Sequence, residues 1–420
     1  MRPREFIEAL KQQHPVRSVR LADLPATVLA ELQERGVDPT QMIDSQQGRD
    51  HFQSLANELS PKLSPELRTL FTNGNIAVGT IGLDDFGAYT QAVEGGHAIV
   101  FHRGLIKFIY RIARILSTRV NVMDKERDSP DLPETARLIA EAFWWLQETG
   151  RAFGPDYPVT PEQLHFANLL ALDAETFLLA HELGHVVVDL RPDSEQRFGS
   201  AYEIEHAADL IGLSFALELN SDEPKDTFRF PMQYAGAEFV LQIFDVLSQL
   251  GFSISDSHPA AANRIIYMRT FMQSKCNDEA WTALTQLADF FAHIFGSIRD
   301  ILLEPAAHAA FYERQAQEIV DALDVLLTRC TGGFVPDYST FSQEAGPIFD
   351  QGYPHEILKI AALVAGRFFS NMSIASEADK KQRWIDFQKF KLLLNYCRDH
   401  MPEPARSLFL RELGFPEYCS

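Results

Sequence analysis

Residues 178–190, LLAHELGHVVVDL, hold two histidines four positions apart, His181 and His185, with Glu182 directly after the first. On a helix, residues four apart share a face, so both imidazoles can reach one ion. Zinc accepts imidazole nitrogens at about 2.0–2.1 Å and, in catalytic sites, keeps one position for water. Glu182 lies about 100° around the helix from His181, within reach of that water's proton without binding the ion. A single turn could thus supply two ligands and a base, the chemistry of metal-assisted hydrolysis. The flanking residues are apolar, whereas a structural histidine pair at a helix surface would sit among charges.

Such a site needs a third donor. A metzincin-type arrangement would place glycine at 188 and histidine at 191, positions held here by Val188 and Arg191. A gluzincin-type arrangement takes a glutamate from a second helix downstream, with an aspartate one turn after it. In YEIEHAADLIGL (202–213), Glu205 follows His185 by 20 positions and Asp209 follows Glu205 by four. Glu205 is therefore expected to complete a His2Glu set. Asp209 is expected to accept a hydrogen bond from the non-ligating nitrogen of His181 and fix its tautomer. The competing reading makes Glu203, Glu205 and Asp209 solvated helix charges. Asp209, however, sits beside Ala208, Leu210 and Ile211, where an unpaired carboxylate would be costly. Glu203 is the rival third ligand, and His206 reads as structural.

A third stretch, SHPAAANRI (257–265), follows. In this order HELGH, EHAAD and HPAAANR resemble the gluzincin metallopeptidases, and two groups within them in particular. One is typified by HtpX and the mitochondrial and bacterial quality-control proteases; the other is the soluble phage-exclusion protease family typified by Lit. The resemblance covers about residues 75–270. The first group is usually membrane-anchored, and no stretch here reaches the roughly 18 apolar residues a bilayer requires, which favours the Lit-like group. The resemblance implies a zinc endopeptidase acting on protein substrates. For the Lit-like branch it also implies antiviral defence, by cleavage of a host translation elongation factor after infection. In the resembled families the HPxxxxR element returns toward the site, so His258 or Arg264 is the candidate to polarise the substrate carbonyl, with Tyr202 and Tyr267 as alternatives. The plainer readings make His258 a helix-opening residue held by Pro259, and Arg264 half of a salt bridge to an acidic helix. Glu182 would take the water's proton and pass it to the leaving amide nitrogen.

These residues need a scaffold. At 420 residues the chain can bury a large core, and 46% apolar with 23% charged residues is the balance of a globular protein. A formal charge of −20 argues against nucleic acid or an anionic membrane surface as partner. Four scattered cysteines, Cys276, Cys330, Cys397 and Cys419, show no metal spacing and no disulfide framework. With no signal-like N-terminus, they lead us to expect a reducing, cytoplasmic setting.

Short amphipathic helices are expected before residue 75, among them FIEALKQQ and LPATVLAELQERG. NIAVGTIG, GAYTQAV and GHAIVFH (75–102) read as a small antiparallel sheet. Helices should follow at 103–118, through Trp144 and Trp145, at 162–190, at 201–219 and over AGAEFVLQIFDVLSQLG. Long helices fill the remainder, including ILKIAALVAGRFF and WIDFQKFKLLLNY.

The expected fold class is α+β, mostly helical, with a zincin-like core at 75–272, a helical region at 1–74 and another at 273–420. An extended peptide is expected to add to a sheet edge, with HAIVFH (97–102) as the chosen edge. The helices of 273–420 could receive an activating partner, although stripes such as Phe290, Phe291 and Phe295 are more often core. The alternative from another class is a non-catalytic, zinc-stabilised scaffold. The intact HELGH speaks against it, because Glu182 has no duty in a purely structural ligand set.

Overall fold

The computed structural model describes residues 1–16, 50–118, 132–149, 157, 159–191, 200–219, 229–252 and 259–331, with 340, 389, 392 and 393. The expected helices at 24–36 and 357–369, most of that at 384–396, and His258 lie outside the described residues. Two compact units are present: Met1–Phe143 with Gly150–Arg299, and Trp144–Thr149 with Asp300–Ser420.

The first unit contains α1 (Pro3–Gln13), α2 (His51–Leu59), α3 (Pro65–Thr72), β1 (Ile76–Ile81), β2 (Ala88–Val93), β3 (Gly96–His102) and α4 (Arg103–Ser117). After the first part of α5 (Leu132–Thr149) come α6 (Pro161–Asp189), α7 (Ala201–Ala216), α8 (Arg229–Gln249), α9 (Ala261–Gln273) and most of α10 (Asp278–Leu302). In α10, Phe291 and Phe295 are buried and pack on Phe239 of α8. The second unit holds the ends of α5 and α10 together with α11 (Pro305–Thr331), and is built around Trp144, His308, Phe311 and Tyr312. The fold is α+β and predominantly helical, as expected. No described helix is long and apolar enough to cross a membrane.

The sheet has the order β1-β3-β2. β2 and β3 form an antiparallel hairpin, from Ala88 opposite Phe101 to Val93 opposite Gly96. β1 pairs with the other side of β3 in parallel, from Ile76 opposite His97 to Ile81 opposite His102. HAIVFH is therefore the central strand, which corrects its expected place at an edge. Its Ala98–Phe101 run is fully buried, and a run apolar on both faces marks an interior strand rather than an edge.

Alternation gives each face its own cover. Phe101 stacks on Phe52 of α2, with ring centroids 3.6 Å apart. On the opposite face Ile81, Ala98 and Val100 cluster with Phe6, Ile7 and Leu10 of α1. The outer edge of β1 is engaged as well, since Thr80 N–H donates to Asp50 Oδ2 at 2.8 Å. Among the described residues β2 is the other outer strand, with Gln91 and Ala92 exposed.

α6 is the central element, contacting α4, α7, α8 and the sheet. It starts at a capping box: Thr160 Oγ1 accepts from Gln163 N–H at 3.3 Å and Thr160 N–H donates to Gln163 Oε1 at 2.9 Å, with Pro161 following. Its sequence is apolar nearly all round because neighbours cover it on several sides. Its acidic residues have partners instead of solvent. Asp173 receives a bidentate Arg229 at 2.6 and 3.0 Å, and Glu175 lies 2.6 Å from His51.

α6 and α7 approach closely through two glycines. A Cβ on Gly184 would stand 2.6 Å from Ala208 O, and one on Gly212 would stand 2.7 Å from His181 N. Both obstacles are backbone, so neither can turn aside. Gly212→Ala should therefore destabilise the protein by about 1–3 kcal/mol and separate the two helices that carry the candidate ligands. Denaturant unfolding and a metal-binding titration would read both effects; wild-type values would refute the close-approach argument.

Candidate metal centre

His181 and His185 project from the same face of α6. Their Nε2 atoms are 3.1 Å apart. Glu205, from the second turn of α7, faces both: Oε2 lies 3.5 Å from His181 Nε2, and Oε1 lies 3.4 Å from His185 Nε2. Among the described residues, these three side chains form a group able to hold a metal ion.

The separations fit the chemistry. Four ligands placed tetrahedrally at about 2.0–2.1 Å from one ion stand about 3.3 Å from each other. The two nitrogens and the two carboxylate oxygens that face them thus stand at about the spacing of ligands around one ion. Glu203, the rival ligand, is exposed, and its backbone N–H is occupied by the Ser200 cap at 3.3 Å.

Behind His181 the supporting contacts are buried. Asp209 Oδ1 is 2.9 Å from His181 Nδ1. An ionised carboxylate can only accept, so Nδ1 carries a hydrogen, and Nε2 is the nitrogen that faces the cluster. Arg264, on the first turn of α9, grips Asp209 with two hydrogen bonds, Nε to Oδ2 at 2.8 Å and Nη2 to Oδ1 at 2.6 Å. Burial works to raise the Asp209 carboxyl, but the Arg264 charge and the hydrogen bonds from Arg264 and His181 hold it well below the usual carboxylate range. Arg264 is itself 4% exposed, with Nη2 3.4 Å from His181 Nδ1. Its guanidinium thus lies against Asp209 and the Nδ1 edge of His181.

Glu182 points toward the sheet. Its carboxylate accepts from Thr90 Oγ1 of β2 at 2.8 Å. Burial is the main cause raising the Glu182 carboxyl above its ordinary value, opposed by His181, Thr90 and Arg264. Burial likewise raises Glu205. A raised carboxyl brings a base closer to the pH at which it must both take and release a proton.

Of the tyrosines weighed from sequence, Tyr267 packs against His206 with centroids 4.4 Å apart and the rings tilted by 41°, and is half-exposed. Tyr202 is also exposed; one turn before Glu205, it shares the ligand's helix face. Sequence reasoning missed Thr90, because a threonine within GAYTQAV has no local mark of its use.

Residues 121–284 match the family model described as Peptidase U49. No curated protein and no solved structure matches the chain. The matched stretch contains all three members of the cluster as well as Glu182, Asp209 and Arg264. Residues 121–284 therefore carry a peptidase domain of the U49, Lit-type family, with a histidine–histidine–glutamate group suited to a gluzincin-like metal site.

Proposed function

We propose that the protein is a zinc-dependent endopeptidase that cuts protein substrates, with His181, His185 and Glu205 holding the ion. The observation that carries this reading is the convergence of two imidazole nitrogens 3.1 Å apart with the Glu205 carboxylate, one oxygen 3.5 Å from His181 and the other 3.4 Å from His185, beside the buried Glu182. Two neutral imidazoles with one carboxylate suit zinc. Bound there, zinc would polarise the scissile carbonyl and lower the pKa of a water to about 7.

The remaining steps belong to side chains of this chain. Glu182 takes a proton from the attacking water and delivers it to the amide nitrogen as the C–N bond breaks, leaving a carboxylate and an amine. Asp209 holds His181 by Nδ1, and Arg264 acts through Asp209 rather than on the substrate. Tyr202, on the ligand face of α7, is the candidate donor to the developing oxyanion, with His258 as the other.

The peptide backbone pairs along the outer edge of β2, the exposed margin of the sheet. A hollow of about 380 Å³ at the Val93 end, lined by Leu70, Ala92, Val93, His97 and Leu190 among others, can take a side chain.

The test compares new protein N-termini in cells producing wild type or Glu182→Gln, alongside metal analysis of both purified proteins. Fragments found only with wild type would name the substrate. The translation elongation factor implied by the Lit-like resemblance is the first protein to inspect. Stoichiometric zinc with identical N-termini in both cultures would favour the non-catalytic scaffold instead.

A further inference from the structure

Thr90 is at the middle of β2, 92 residues before Glu182 and outside the stretch that matches the peptidase family. Its Oγ1 lies 2.8 Å from Glu182 Oε2 and 3.1 Å from the Glu182 backbone carbonyl oxygen. We propose that Thr90 is a positioning residue for Glu182, tying the carboxylate that takes the water's proton to the strand along which the substrate lies. This rests on the reading of Glu182 as the base.

The hydroxyl has one hydrogen and faces two acceptors on a single residue. It donates to the carboxylate while staying within reach of the carbonyl, which fixes the Glu182 side chain relative to its own helix. A hydrogen bond to an ionised acceptor is roughly twice as strong as a neutral one, enough to select among the rotamers of a long side chain. On the same face of β2, Thr90 is flanked by Ala88 and Ala92, whose side chains have no polar atom. The strand therefore offers the carboxylate one partner.

Among the described residues β2 is also an outer strand of the sheet. A peptide that adds there draws its backbone register from the strand that orients the base. Water, base and scissile bond are then referred to one element. The plain structural alternative is that Thr90 merely fastens β2 to α6. That role would appear in stability and leave the catalytic step unchanged.

The test uses fluorescein-labelled casein with the wild-type chain, Thr90→Val and Thr90→Ser. Valine keeps the shape and suits a strand, so the fold should persist. Thr90→Val should lower kcat by about 10–100-fold, the usual effect of losing a partner that orients a catalytic group, with KM, metal content and thermal midpoint unchanged. Thr90→Ser, which retains the hydroxyl, should recover most of the rate. Wild-type kcat in Thr90→Val, a change confined to KM or to metal content, or no recovery in Thr90→Ser would each overturn the proposal.

If the wild type leaves casein intact, the endopeptidase reading is what suffers. Thr90 is then judged by a crystal structure of Thr90→Val. A Glu182 carboxylate turned away or split between rotamers supports the role, and one left in place and well ordered refutes it.

Discussion

Replacing Glu182 with glutamine is expected to slow peptide hydrolysis by about 10²–10⁴-fold, the contribution of a positioned general base, while metal content stays at the wild-type level. Glutamine has nearly the shape of glutamate and its amide oxygen can still accept from Thr90, so the contact at 2.8 Å has a replacement. The amide cannot take up a proton at neutral pH, and that step alone is removed. The three donor atoms lie on His181, His185 and Glu205, so nothing in the ion's grip changes. Initial rates and metal analysis on the same preparation check both halves. Hydrolysis at the wild-type rate would end the assignment of the base. Loss of metal together with activity would mean that Glu182 belongs to the ligand set.

The second large effect lies behind the cluster. Arg264→Met should destabilise the fold by about 3–5 kcal/mol, the range for removing one partner of a buried ion pair. It should also weaken metal binding by about 10–100-fold. Asp209 is wholly buried, and Arg264 supplies two of its hydrogen bonds. Without Arg264 the carboxylate is either an uncompensated charge or a neutral acid, and a neutral acid holds His181 less firmly. Arg264→Met combined with Asp209→Asn should be less destabilised than Arg264→Met alone, because no unpaired charge is left. Urea unfolding would measure the set, and equal midpoints for wild type and Arg264→Met would contradict it.

The pH dependence of this difference has a definite sign. A carboxyl held low in the folded protein adds stability above its unfolded value of about 3.9, and loses it only as pH falls toward the folded value. The wild type should therefore keep this contribution from neutral pH down to about pH 5, and any narrowing of its gap to Arg264→Met above that pH reports protonation of Asp209 in the variant.

The chemistry was legible because its residues are bound to local periodicity. His181, Glu182 and His185 share one turn, and Glu205 with Asp209 share one face of the next helix, so correct helices suffice to bring them together. The antiparallel hairpin of β2 and β3 is local as well. What escaped depends on pairs far apart in the chain. His51 meets Glu175 across 124 residues, and nothing near either one announces the other. The parallel pairing of β1 with β3 skips the strand between them in sequence, which no alternation pattern encodes. Thr90 is of the same kind: its use arises only when the sheet lies on α6. Gly184 and Gly212 read as ordinary helix positions until the backbones they admit are seen.

The marginal place of β2 also bears on turnover. A chain lying along it would become the outermost ribbon of the sheet, and hydrolysis would divide that ribbon into two shorter pieces. Each piece keeps only its share of the rungs and leaves faster than the intact chain, so cleavage itself clears the groove for the next molecule.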